Sequence, residues 1–252
     1  MSSTVGGISI RTKAYAGPFA IFMLLLALPD LLTACGVDMA AAEDSKWWLM
    51  PQVWLYSLQT IACGAALWIW RKHYEFRPAS GLLLGAACGT VGIALWIAPG
   101  WLFQSFRLSA GWWGYFGFAD RSEGFDLAIL KQHSNAAHFV FLAIRFSRLA
   151  IIVPLVEEIF WRGFLMRILV DPDGDYWAIP FGTHHRRSLL VVTTMFVLAH
   201  ASVDYAGAAI YGLLTYWLAV KTKSLAACVV MHAVANLLLG IYILNTAQWG
   251  YW

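Results

Sequence analysis

Long apolar runs dominate this chain and restrict it to folds in which helices are surrounded by lipid or by one another. A membrane-spanning helix needs roughly 20 mostly apolar residues, and seven runs approach or exceed this length. They cover Ala16–Leu32, Trp48–Trp70, Gly81–Ala98, Leu149–Leu169, Leu189–Val203, Ala206–Val220 and Leu225–Leu244. Only 12% of the residues are charged, about half of the usual share in soluble domains. The sequence therefore predicts an all-α, polytopic transmembrane helix bundle of about 7 spans.

The segment Ser134–Val170 is too long for a single untilted span. We interpret its first part, Asn135–Phe146, as an interfacial or partly embedded helix that leads into the fourth span. No internal repeat or low-complexity stretch divides the chain. We therefore expect a single integral membrane domain over residues 1–252.

Cys35 follows the first apolar run in a Leu-Thr-Ala-Cys-Gly segment that looks like a lipoprotein signal box. Pro29 and Asp30 interrupt the apolar region directly upstream, which a signal peptide tolerates poorly. We expect an uncleaved first span, with lipidation of Cys35 left open.

The distribution of Lys and Arg predicts the orientation of the bundle, because cytoplasmic loops are enriched in both. A cytoplasmic N-terminus places eleven of them inside and four outside, with Arg145 and Arg148 near the start of the fourth span. The inner set is Arg11, Lys13, Arg71, Lys72, Arg77, Arg162, Arg167, Arg186, Arg187, Lys221 and Lys223, and the outer set is Lys46, Arg107, Arg121 and Lys131. We therefore expect the N-terminus to be cytoplasmic. The small net charge of +3 does not suggest a nucleic-acid partner.

Two adjacent carboxylates, Glu157 and Glu158, lie inside the fourth apolar run. Ionisable groups at membrane depth are energetically expensive and point to a functional site. Neighbours on a helix point about 100° apart, so the two glutamates cannot serve one site equally. Arg162 is four residues after Glu158, in the favourable order for an ion pair. This spacing assigns Glu158 to Arg162 and leaves Glu157 as a candidate general base towards water. The alternative is one structural charge network.

Two histidines and an asparagine lie on the later spans. The four-residue spacing of His232 and Asn236 puts them on one helix face, where both can donate hydrogen bonds into one cavity, as in an oxyanion hole. His200 follows Phe196 at the same spacing. Helix rise places Glu157, His200 and His232 roughly 20, 18 and 10 Å from the cytoplasmic ends of their spans, so they can meet inside the bilayer. The alternative for these residues is polar contact between packed helices.

Carboxylate, imidazole and a His/Asn donor pair together describe hydrolysis of an acyl bond by activated water. Glu157, His200 and His232 would also make a two-histidine, one-carboxylate set, which is an accepted composition for catalytic zinc. Ligand identity alone does not decide between Zn²⁺-bound water and a metal-free glutamate mechanism, so both stay open.

The three motifs are E-E-x-x-x-R at Glu157, F-x-x-x-H ending at His200 and H-x-x-x-N at His232, in this order. Together they resemble the CAAX-protease and bacteriocin-processing (CPBP, or Abi) family of intramembrane glutamic-type proteases. The resemblance covers roughly 149–240, the expected catalytic core, while residues 1–133 look like variable N-terminal helices and an outer loop.

The resemblance implies roles for the motif residues. Glu157 and His200 would activate water, His232 and Asn236 would stabilise the oxyanion, and Glu158 and Arg162 would support the site. It further implies a peptidase of the bacterial inner membrane, with membrane lipid and a membrane-associated or C-terminally anchored protein as partners. The alternatives are a non-catalytic membrane immunity or partner-binding protein and a proton-coupled transporter.

Overall fold

The regular structure of the chain is helical, with no strand in the residues that the computed structural model describes, which are 8–36, 50–109 and 111–252. We number the helices α1 to α8 in chain order. They are α1 Ile10–Ala34, α2 Pro51–Ile69, α3 Leu82–Ser105, α4 Ala128–His133, α5 Asn135–Ile168, α6 Arg186–Leu198, α7 Tyr205–Thr222 and α8 Leu225–Thr246. The all-α prediction is confirmed.

Five of these helices are long and apolar enough to cross a membrane: α1, α3, α5, α8, and α7 together with the short turn Ser202–Asp204 before it. The exact set of seven spans is not confirmed. α2 carries polar side chains such as Gln52 and Gln59, which lower its hydropathy. α6 has only 13 residues, about 20 Å of helix against a hydrocarbon core of roughly 30 Å. Trp48 and Lys46 lie outside the described residues.

The segment Asn135–Phe146, for which we predict an interfacial or partly embedded position, continues into the fourth span as part of one 34-residue helix, α5, and its position relative to the membrane stays a prediction. α5 is about 50 Å long, so it exceeds the thickness of the bilayer core. Two π-helical segments, Arg148–Ile152 and Ile159–Leu165, flank the short α-helical stretch that carries both glutamates. Such π turns are frequent at functional sites.

The predicted span Leu189–Val203 extends beyond the end of the helix that the structure contains. α6 stops at Leu198, and the chain turns before α7 begins at Tyr205. His200 therefore lies in the connection between two helices rather than inside one. The periodicity of neither helix therefore fixes the direction of its side chain.

Small residues on α3 bring α8 close. Gly85 and Gly89 are four apart, and a Cβ on either would collide with a backbone carbonyl of α8, that of Ala227 or that of Met231. Glycines at this spacing allow close helix approach in membranes, where packing replaces the hydrophobic effect as the driving force. This contact fixes the position of the helix that carries His232.

The two ends of the bundle differ in chemistry. At one end, which we call the basic end, Arg11 and Arg167 both pair with Glu75, and Lys223 donates to the carbonyl of Gly182. At the opposite end, Arg121 pairs with Asp204 and the C-terminal aromatic residues pack. Most of the cations assigned to the inside by charge counting lie near the basic end. The cytoplasmic location of that end stays a prediction.

Candidate active site

A cavity of about 430 Å³ lies within the bundle, and all four predicted catalytic residues line it: Glu157, His200, His232 and Asn236. Every helix except α4 contributes to its wall, together with the C-terminal residues 250–252. The wall is mixed, with apolar side chains such as Phe22 and Ile93 beside the polar groups. Residues far apart in the chain thus line one partly polar cavity between apolar helices. Ligand sites commonly have this arrangement.

Glu157 is half-buried and faces this cavity. In the described part of the chain it has no hydrogen bond and no ion pair. A carboxylate without a fixed partner, at the wall of a cavity inside an apolar bundle, is available to accept a proton from a small molecule held there. Glu157 therefore has the position that a general base requires.

Glu158 points away from its neighbour and is fully buried. Its Oε1 accepts a hydrogen bond from Nη1 of Arg162 at 3.2 Å and another from Nδ1 of His232 at 2.9 Å. The ion pair expected from the four-residue spacing is therefore present. The bond to His232 spans 74 residues of chain and joins α5 to α8, so no local pattern could have indicated it.

Arg162 is as deeply buried as its partner, and its guanidinium lies over the ring of Phe196 at 4.9 Å from the ring centre. The Oε2 of Glu158 and the Nε and Nη2 of Arg162 have no hydrogen-bond partner among the described protein atoms. A buried charge pair is tolerated only while each partner compensates the other. The pair itself lies within α5, and the contact of Arg162 with Phe196 joins α5 to α6.

His200 bonds back to its own helix end, with Nδ1 at 2.7 Å from the carbonyl oxygen of Phe196. A carbonyl oxygen can only accept, so Nδ1 carries the hydrogen, and Nε2 of the neutral ring is left as an acceptor. The ring also meets the edge of Trp96 at 5.3 Å between centres. His200 therefore combines packing contacts with a free basic nitrogen on the cavity wall.

His232 and Asn236 each use part of their hydrogen-bonding capacity between helices. Nδ1 of His232 binds Glu158, and Nδ2 of Asn236 donates to the carbonyl of Leu149 at 2.8 Å. In a π turn that carbonyl would need the N–H of Pro154, which proline lacks. Asn236 thus satisfies an otherwise orphaned backbone group inside the bundle. One amide hydrogen of Asn236 and the Nε2 of His232 are left for the cavity.

The zinc prediction requires Glu157, His200 and His232 to converge on one point. Over residues 8–36, 50–109 and 111–252, no three His, Cys, Asp or Glu side chains are close enough to share a metal ion. A zinc ion at this site stays a prediction, and no step below uses a metal.

Two further residues of the cavity wall were missed by the motif analysis. Arg148 donates from Nε to the side chain of Gln59 at 2.6 Å, and charge counting had placed it only near the start of a span. The hydroxyl of Tyr211 is buried without a hydrogen-bond partner among the described atoms. An arginine within an apolar run was a usable signal for Arg148. Nothing in the local sequence distinguishes Tyr211 from a packing residue.

Comparison with protein families matches residues 139–238, about two fifths of the chain, to the family described as Type II CAAX prenyl endopeptidase Rce1-like. The matched segment includes all six predicted site residues. Neither the curated proteins nor the solved structures contain a significant match.

Proposed function

Through residues 139–238 the chain belongs to the Rce1-like family of type II CAAX prenyl endopeptidases, and from this premise we propose that it hydrolyses a peptide bond of a membrane-associated protein inside the bilayer. The family supports a peptidase activity, and the apolar helices make the chain an integral membrane protein. One observation carries the proposal for the site. An unpaired glutamate, a histidine with a free basic nitrogen and a His/Asn pair line the same cavity.

Water activation is the first step. In the proposed mechanism a water molecule lies between the carboxylate of Glu157 and the Nε2 of His200, and Glu157 takes its proton. The resulting hydroxide attacks the carbonyl carbon of the scissile bond. His200 is held by the carbonyl of Phe196 so that its basic nitrogen, rather than its N–H, faces the water.

In the proposed mechanism, two side chains of α8 stabilise the tetrahedral intermediate. The second amide hydrogen of Asn236 and a proton on Nε2 of His232 point to one oxyanion. Nε2 donates when both ring nitrogens of His232 carry a proton, with the Nδ1 proton bonded to Glu158. The proton held by Glu157 then passes to the leaving amine as the C–N bond breaks, which restores the carboxylate and releases both products.

The substrate we propose is a membrane-associated protein or one anchored near its C-terminus, because the cavity lies between helices long enough to span a bilayer. We further propose that the enzyme resides in a bacterial inner membrane with its basic end and N-terminus on the cytoplasmic side, since cytoplasmic loops are enriched in Lys and Arg.

Cleavage of a membrane-anchored peptide library by the protein in proteoliposomes, followed by mass spectrometry, tests the function. We expect wild type to produce defined fragments and Glu157→Gln to cleave at least about 100-fold more slowly, as for loss of a general base. Glu123→Gln is the matched control, because Glu123 is an exposed glutamate outside the cavity. Cleavage by wild type that survives in Glu157→Gln would refute the assigned base.

The competing hypothesis is a non-catalytic membrane protein that binds a partner and uses the polar cluster only for structure. The buried contacts of Glu158 with Arg162 and His232 agree with this hypothesis as well as with catalysis. It predicts no fragment from any substrate class, together with equal stability losses on substitution of either glutamate. The unpaired state of Glu157 favours the enzyme.

A further inference from the structure

A second polar pocket lies at the basic end, and the catalytic proposal does not involve it. This basic-end pocket has a volume of about 430 Å³ and is formed where α1 begins, α5 ends and two connecting segments meet. Its charged wall residues are Arg11, Glu75, Arg77, Arg167 and Lys223. Arg167 is ten residues beyond Glu157 on α5, about 15 Å along the helix.

Four cations and one carboxylate face this space, which leaves three positive charges in excess. Glu75 is shared by Arg11 at 2.6 Å and Arg167 at 3.5 Å, so one carboxylate serves two guanidinium groups. Arg77 has no hydrogen bond in the described structure. Lys223 uses one of its three donors on the carbonyl of Gly182. The pocket therefore retains unused positive charge and unused donors.

Arg167 gives an independent indication of a ligand. It is 5% exposed, and its Nε and Nη1 have no partner among the described protein atoms. Burying donors of a charged group without partners is costly. An anion with several oxygens in the pocket would accept from these donors and offset the cost.

Aromatic rings complete the wall. The guanidinium of Arg11 lies over the ring of Trp177 at 4.4 Å, and that of Arg167 lies 5.7 Å from the same ring and 5.9 Å from Phe181. Stacking on rings orients the planar fork of arginine, which matches phosphate and carboxylate oxygens in pairs. Tryptophan is typical of the headgroup level of a membrane.

We propose that the basic-end pocket binds a phosphate group, with the phosphodiester of an anionic lipid or a free phosphate as its source. A tetrahedral anion with several acceptor oxygens matches a wall of several converging donors better than a planar carboxylate does. Arg77 and Lys223 bind it from the open side, and Arg167 binds it from the buried side. The occupied pocket then links the first helix to the end of α5.

Thermal unfolding of the full-length protein in a non-ionic detergent, followed by tryptophan fluorescence, tests the site. The probes are short-chain phosphatidylglycerol, short-chain phosphatidylcholine with the same acyl chains, and inorganic phosphate. We expect phosphatidylglycerol to raise the unfolding temperature of wild type saturably. Stabilisation by inorganic phosphate in the same concentration range identifies a free phosphate as the occupant, and stabilisation by the lipid alone identifies a headgroup.

The variant Arg77→Gln with Lys223→Gln removes two cations of the pocket, and we expect it to need at least tenfold more phosphatidylglycerol for half-saturation. Arg186→Gln with Lys221→Gln is the matched control, because it removes two exposed cations of the same end that do not line the pocket. We expect the control to bind like wild type.

If the double variant does not fold, Arg77→Gln alone tests the site. Arg77 is exposed and makes no hydrogen bond in the described structure, so we expect this single variant to fold. We expect its affinity to fall at least threefold. Equal weakening in pocket and control variants, equal stabilisation by phosphatidylcholine, or no saturable effect in wild type would each overturn the proposal.

Discussion

Glu157 and Glu158 are neighbours in the chain, yet they lie on two faces of α5 with different surroundings. The Glu157 face borders the cavity, is half-buried and holds its carboxylate without a partner in the described structure. The Glu158 face is fully buried and holds its carboxylate between Arg162 and His232. The same side chain is thus available for chemistry on one face and committed to structure on the other. The difference arises because Arg162 of α5 and His232 of α8 contact Glu158, whereas the cavity lies beside Glu157.

His200→Ala should produce the largest effect. If the free Nε2 shares in water activation, we expect the cleavage rate to fall about 10²–10⁴-fold while the unfolding temperature changes little. The measurement is single-turnover cleavage in proteoliposomes beside thermal unfolding. His200→Phe fills the same space without a basic nitrogen and should be equally inactive. If His200→Phe cleaves at the wild-type rate, His200 contributes only packing and takes no part in water activation.

Glu158→Gln tests the structural face. The substitution leaves Arg162 as an uncompensated buried charge, so we expect the free energy of unfolding to fall by about 3–5 kcal/mol. Glu157→Gln removes a carboxylate that has no partner in the described structure. We expect it to change the free energy of unfolding by less than about 1 kcal/mol, as for substitutions away from buried pairs. Denaturant titration followed by circular dichroism measures both. Equal losses would mean that both glutamates belong to one structural network.

Asn236→Ala should lower both the cleavage rate and the stability, because Asn236 borders the cavity and contacts the Leu149 carbonyl. We expect about 10²–10³-fold slower cleavage from the loss of an oxyanion donor. The unsatisfied carbonyl should also cost about 1–3 kcal/mol of stability. Steady-state kinetics should show the change in kcat rather than in KM. A change confined to stability would assign Asn236 to helix packing alone.

Glu158→Gln combined with Arg162→Met should produce the smallest net change in stability. The second substitution removes the stranded charge, and the amide oxygen introduced by the first can still accept from His232. We therefore expect stability within about 1–2 kcal/mol of wild type. The comparison is with Glu158→Gln alone in the same titration. If the double variant is no more stable than the single one, the buried charge of Arg162 is not what destabilises Glu158→Gln.

Helix positions and the local ion pair could be predicted from the sequence for different reasons. Apolar runs locate α1, α3 and α8 because a helix in lipid needs a continuous apolar surface. The Glu158–Arg162 pair follows from helical geometry over four residues. The bond from His232 to Glu158 and the role of Asn236 at Leu149 join helices far apart in the chain. Their geometry depends on how α3 and α8 pack, which local spacing does not contain.

The sequence by itself determined that this chain is an all-helical membrane protein with a polar cluster in its fourth apolar run. It also determined that the two glutamates must face different directions, because helix periodicity is a local property. Only the tertiary structure decided that α5 continues through Asn135–Phe146, that α6 ends before His200, and that the three motifs share one cavity. These outcomes depend on contacts between distant segments, through packing and buried hydrogen bonds.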